Sequence, residues 1–231
     1  MSALFTCEEP ATWRQVHDKY WDVVESRMKG KTPPKLMTLD KWFQEELPAS
    51  ISHRSDKHVS HMELVKLMEW KLTRGKFRPR LQQLVESNSA DSVEKCSRKA
   101  FSLLPDVHAA ITELSALKGV GPATAAAVLA AGAPEQAAFM SDEAMESVPG
   151  LMPIKYTAKH YILYLTKMLE QTAKLNQWDR VPDWTPHRLE RCLWAFSVAT
   201  KLQLPLLQDI SISNKRNSES DDKPPKKKKT S

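Results

Sequence analysis

Cysteine is scarce: Cys7, Cys96 and Cys192 are the three in 231 residues, far apart in the chain, with no CxxC pair and no histidine at ligand spacing. That argues against a local zinc finger, an iron–sulfur cluster or a disulfide framework, and suits a reducing compartment. Long apolar runs are missing too; none approaches the roughly 18–20 residues needed to span a bilayer. Residues Met1 to Pro10 carry Glu8 and Glu9 in place of a basic patch followed by an apolar stretch, so neither a membrane span nor a secretory leader is expected. No stretch sustains period-two alternation between hairpin turns, which argues against a sheet. What remains is 41% hydrophobic and 27% charged, enough for one sizeable core or two small ones.

The net charge of +6 is concentrated at the end. Residues 213–231 hold seven basic and three acidic side chains and no aromatic or branched aliphatic residue, leaving a body of 27 basic against 25 acidic residues. Such a tail buries too little apolar surface to offset its ordering entropy and is expected to be disordered. Lys215 and Arg216, a nine-residue spacer, and Lys226, Lys227, Lys228 and Lys229 read as a bipartite nuclear localisation signal, with a solubilising tail as the alternative. A nuclear import receptor is then the expected partner of the tail.

Elsewhere Pro and Gly punctuate segments whose apolar residues recur at helical spacing, which predicts an all-α protein. A first helix is expected from Thr12 through Val24 to the Gly30 and Thr32-Pro33-Pro34 break, and a second from Thr38 to near Pro48. His53, His58 and His61 lack acidic or cysteine partners at fixed spacing, so they read as surface or capping residues and no metal site is expected. A strongly apolar helix from Ser60 ends in the basic run Lys71, Arg74, Lys76, Arg78, Arg80. Two short helices and an amphipathic one over 106–117 lead to the most informative stretch. After it, Tyr156 to Leu175 predicts a long helix, and Thr185-Pro186 starts another through Val198 whose aromatic face should dock on the N-terminal helices.

Residues 114–132 read LSALKGVGPATAAAVLAAG. A helix stops at Lys118, Gly119-Val120-Gly121 forms a turn, and Pro122 opens an alanine-rich helix closed by Gly132. Glycine permits positive φ, proline suits the first helical turn, and the turn presents backbone amides and a positive helix dipole to an anion. The run Leu117, Lys118, Gly119, Val120, Gly121, Pro122, Ala123, Thr124, Ala125 resembles the helix-hairpin-helix motif; a plain αα-turn is the alternative. Phe139-Met140-Ser141-Asp142 follows, with Asp142 placed 23 residues after Gly119. Hairpin and aspartate together resemble the helix-hairpin-helix DNA glycosylase superfamily. The Phe139–Glu143 segment and the Trp184-Thr185-Pro186-His187 helix start resemble its divergent, Amun-like group of nuclear animal proteins.

That resemblance implies a glycosylase-like fold of two helical subdomains without cofactor: residues 55–175 as the hairpin core, 1–54 packing with the helix of 176–212, and the basic tail of 213–231. It implies Asp142 as catalytic carboxylate and phosphate contacts from Lys118, Gly119, Val120, Gly121, Ala123 and Thr124, with Arg74, Lys76 and Arg78 in a basic loop near the minor groove. Ala123 stands where bifunctional members carry a lysine, so hydrolytic, monofunctional chemistry is implied. Two functions fit: base–sugar bond hydrolysis in base excision repair, or a non-catalytic nuclear module that keeps the fold to bind double-stranded DNA or nuclear proteins. A monomer is expected.

Overall fold

The computed structural model describes residues 3–27, 35–208 and 210, and no strand occurs among them. The chain is all-α. The expected break at Gly30 to Pro34 and the basic tail signal, Lys215 to Lys229, lie outside the described residues.

The N-terminal region holds two helices, α1 (Pro10–Asp18) and α2 (Tyr20–Arg27), not one begun at Thr12. Pro10 opens α1 because a first-turn residue needs no amide donor, and Thr12 is buried inside the first turn with its hydroxyl donating to Glu9 at 3.3 Å. Helix α3 (Lys35–Lys41) passes through a π-helical turn, Trp42–Glu46, into α4 (Leu47–Ser52). The expected stop at Pro48 is thereby corrected. A proline inside a regular helix loses a hydrogen bond and meets the carbonyl of the preceding turn, but Pro48 is the second residue of α4, in the first turn after the π turn.

Helix α5 (His61–Arg74) starts on a reciprocal cap, with Ser60 Oγ accepting from the Glu63 amide at 3.2 Å and Glu63 accepting from the Ser60 amide at 2.8 Å. Then come α6 (Pro79–Glu86), α7 (Ala90–Ser102), α8 (Val107–Leu114), α9 (Pro122–Gly132) and α10 (Asp142–Ser147). The long α11 (Ala158–Trp178) and α12 (Pro186–Lys201) complete the set. Tyr156 lies ahead of α11 because Thr157 caps that helix, its hydroxyl accepting from the His160 amide.

Two helices position everything else. Every residue of α9 from Thr124 to Gly132 is buried, and the small alanines let it pack between α4, α5 and α8. Helix α12, whose start has Thr185 as cap and Pro186 in the first turn, is a strut touching α1, α2, α10 and α11. Its Trp194 is fully buried, 5.6 Å from the Tyr20 ring. On α5, Trp70 stacks on Phe43 at 3.6 Å and donates its indole N–H to Asp40 at 2.7 Å, so a large apolar side chain is buried without orphaning its polar atom.

Candidate functional site

The hairpin between α8 and α9 is built as its residues demand. Gly119 has φ +76°, and a Cβ there would meet Leu84 Cβ at 2.9 Å and the Leu81 carbonyl at 3.1 Å. Gly119 is thus required twice over, by conformation and by the close approach of α6. Gly121 differs: its φ is negative and a Cβ there would meet nothing within 4 Å. No close approach demands glycine at 121; it is the N-cap of α9, where glycine is a favoured residue, and it leaves the turn's amides open.

Amide accounting narrows the expected contact set. The Lys118 amide donates to Asn88 Oδ1, Val120 to the Leu117 carbonyl and Thr124 to the Gly121 carbonyl. The Val120 side chain is buried and apolar, so that residue has no donor left for a phosphate; the Thr124 amide is committed, but Thr124 itself lines the cavity that Asp142 shares. Among the described residues, the amides of Gly119, Gly121 and Ala123 have no intrachain acceptor. They lie at the positive end of α9, an arrangement that favours an anion. The side chain of Lys118 is exposed and adds a charge beside them.

Asp142 is the first residue of α10, but Ser141 does the capping, its Oγ accepting from the Ala144 amide at 3.3 Å. The Asp142 carboxylate is released for other work. One oxygen accepts from Tyr156 Oη at 2.6 Å and the other pairs with Lys76 Nζ at 2.7 Å. Partial burial would raise this carboxyl, but the hydrogen bonds from Lys76 and Tyr156, with the charges of Lys76 and Arg78, outweigh it and hold the group below its ordinary value. It is an anion at neutral pH. Lys76 itself is mostly exposed, at 69%, so the pair is open to water and not a sealed structural bridge.

A cavity of about 360 Å³ brings these features together, within the range of small-molecule sites. The Gly119–Thr124 turn lines one part of it and Asp142 and Tyr156 another, with Lys71, Lys76, Arg78 and Trp194 among the remaining lining residues. The expected basic loop divides here. Lys76 and Arg78 are exposed, with Arg78 lying 5.5 Å from the Tyr156 ring.

Arg74 is corrected as a DNA contact. Its side chain is 1% exposed and its guanidinium donates to both oxygens of Glu190, at 2.8 and 3.2 Å. As the last residue of α5 it points along the core face with Trp70, which lies one helical turn earlier. Glu190 also accepts from Ser141 Oγ at 2.5 Å. Burial pushes the Glu190 carboxyl upward while the Arg74 charge opposes it, and three donors satisfy it. Arg74 thus fixes Ser141, and through it the α10 start, rather than gripping a phosphate. Tyr161 and Tyr164 brace the same segment from α11, their hydroxyls donating to the carbonyls of Ala138 and Phe139 at 3.0 and 3.1 Å.

Sequence reasoning missed Tyr156 and Lys71 as cavity residues, because each is brought there by elements distant in sequence. It also passed over Phe77, which is 75% exposed between Lys76 and Arg78; a large apolar side chain in water inside a basic loop was a legible signal. Among the described residues no group of three or more His, Cys, Asp or Glu side chains is placed to hold a metal, and no helix is long and apolar enough to cross a membrane. No family model, curated protein or solved structure matches the chain.

Proposed function

We propose that this chain is a nuclear protein that binds double-stranded DNA and hydrolyses the base–sugar bond of a damaged or modified nucleotide. One observation carries the reading: an ionised carboxylate, Asp142, shares a cavity with the unpaired amides of Gly119, Gly121 and Ala123. Bond cleavage passes through an oxocarbenium-like state, which a fixed anion beside the sugar stabilises or supplies with an oriented water. The amides hold the flanking phosphate, and Lys118 and Arg78 add sequence-independent attraction. Phe77 is suited to enter the stack and occupy the space the target base leaves, offsetting a cost of a few kcal/mol. Composition of the 213–231 segment supports the nuclear address.

A base-release assay over duplexes carrying a panel of lesions tests the reading. Release of one or more bases, abolished by Asp142→Asn, is the expected result; no release from any lesion, or release unchanged in the variant, refutes it. A second reading is favoured by the engagement of both Asp142 oxygens, by Lys76 and Tyr156. On that reading the fold is a non-catalytic DNA- or protein-binding module, and Asp142→Asn leaves duplex binding intact with no base released by either form.

A further inference from the structure

We propose that Trp194 is the specificity residue of the cavity: its indole N–H donates to the base, so the bases accepted are those with a carbonyl oxygen where adenine and cytosine carry an amino group. The inference rests on the base-hydrolysis reading above and deepens it by naming the class of base.

The observation behind it is a donor with nothing to donate to. Trp194 is fully buried and lines the cavity, and its Nε1 has no hydrogen-bond acceptor among the described residues. A buried donor left unmatched costs about 1–3 kcal/mol, and such groups are uncommon in folded proteins. Three other buried tryptophans show the contrast. Trp13 donates to the Cys7 carbonyl at 2.9 Å, Trp70 to Asp40 at 2.7 Å and Trp184 to Asp179 at 2.7 Å. Packing alone does not explain the exception, because a phenylalanine fills much of the same space with no polar atom to satisfy.

Access to the indole runs past one of two guanidiniums. Arg74 lies 4.4 Å and Arg27 5.3 Å from the Trp194 ring. Arg74 is locked by both oxygens of Glu190, whereas Arg27, at the end of α2, is held to Glu143 by an ion pair of 3.6 Å. That distance exceeds a hydrogen bond, so Arg27 can shift off the ring and keep Glu143 as its partner.

The rest of the lining suits an occupant that accepts. Its carboxylates Asp142, Glu143 and Glu146 are paired with Lys76, Arg27 and Lys201. Among the described residues the cavity therefore offers an unmatched donor and no unpaired carboxylate. A carbonyl oxygen satisfies the indole N–H; an amino group set against it leaves two donors facing each other. A site built around a buried polar group rejects the analogue lacking its counterpart more strongly than shape alone does.

The test compares base release from duplexes carrying uracil against cytosine and hypoxanthine against adenine, pairs that exchange the carbonyl for the amino group, within the wider lesion panel. Release is expected only for bases with the carbonyl, and Trp194→Phe is expected to lower kcat/KM for them about tenfold. Because that variant alters a buried side chain, a second measurement uses the unaltered chain: the indole N–H resonance of Trp194 is expected to shift on adding free uracil or hypoxanthine and to stay in place with cytosine or adenine. Comparable release of an amino-bearing base, or an indole resonance that no base moves, overturns the role of Trp194 and leaves base hydrolysis standing. No release from any lesion overturns the hydrolysis reading itself, and this inference with it.

Discussion

Arg74 and Glu190 meet at 2.8 Å in the core, 116 residues apart in the chain and both at most 1% exposed. Glu190 in turn holds Ser141, the residue that caps the helix on which Asp142 sits. A buried charge left alone after its partner is removed costs about 3–5 kcal/mol. Arg74→Ala and Glu190→Ala are each expected to destabilise by that amount, read as a lowered midpoint in denaturant unfolding. Glu190→Gln, which keeps an acceptor for Ser141, is expected to cost less than Glu190→Ala.

The two hairpin glycines separate folding from binding. At Gly119 the left-handed φ and the 2.9 Å approach of Leu84 make Gly119→Ala destabilising, by more than the roughly 1–2 kcal/mol of the backbone conformation alone. At Gly121 a Cβ meets nothing within 4 Å, so Gly121→Val should cost no more than the roughly 1 kcal/mol of losing a favoured N-cap residue, read in denaturant unfolding and smaller than the loss at Gly119. Its duplex binding, measured by fluorescence anisotropy, should nonetheless fall, because the added side chain stands between the amides and a phosphate.

Lys76 keeps Asp142 ionised to lower pH than an ordinary aspartate. Removing it in Lys76→Ala leaves partial burial less opposed, so the Asp142 pKa rises. If the ionised carboxylate is the working form, the acidic limb of the base-release profile moves to higher pH in this variant. An unmoved limb would assign that limb to another group.

Two histidines set an acid limit on stability. Burial, reinforced by Arg191 and Arg74, lowers His187 from 6.5 to about 3, and burial with Arg191 and Arg188 lowers His17 to about 4. The unfolded chain takes up these protons below about 6.5 while the folded chain does not until about 3 and about 4. Stability is thus fully present above 6.5 and falls as pH drops through that window, by up to about 1.4 kcal/mol per pH unit for each histidine. Chemical denaturation in steps from pH 7 to 4 reads this slope, and His187→Gln is expected to flatten it.

Local features were legible because their causes are local. Apolar residues at helical spacing marked the helices, Thr185-Pro186 marked the start of α12, and Gly119, Gly121 and Pro122 marked the turn before α9. Boundaries went astray where a neighbouring element overruled propensity, as at Pro48 behind its π turn and at Lys19 between α1 and α2. Asp142 could be singled out from its hydrophobic-Ser-Asp setting, but not the identity of its partners.

The amino-acid sequence by itself determined that this chain is helical, where its main turn lies, and that most of its excess positive charge belongs to the last nineteen residues. Those properties follow from backbone preference, periodicity and composition, which act over a few residues at a time. Only the tertiary structure decided that Arg74 is a buried strut while Lys76 and Arg78 face the solvent, and that Lys71, Asp142 and Tyr156 share one cavity with the hairpin amides. Four residues of one basic run cannot be told apart by type. What separates them is where the chain places each side chain: Arg74 turns inward to meet Glu190 of α12, 116 residues away, while Lys76 and Arg78 follow the end of α5 in an exposed loop.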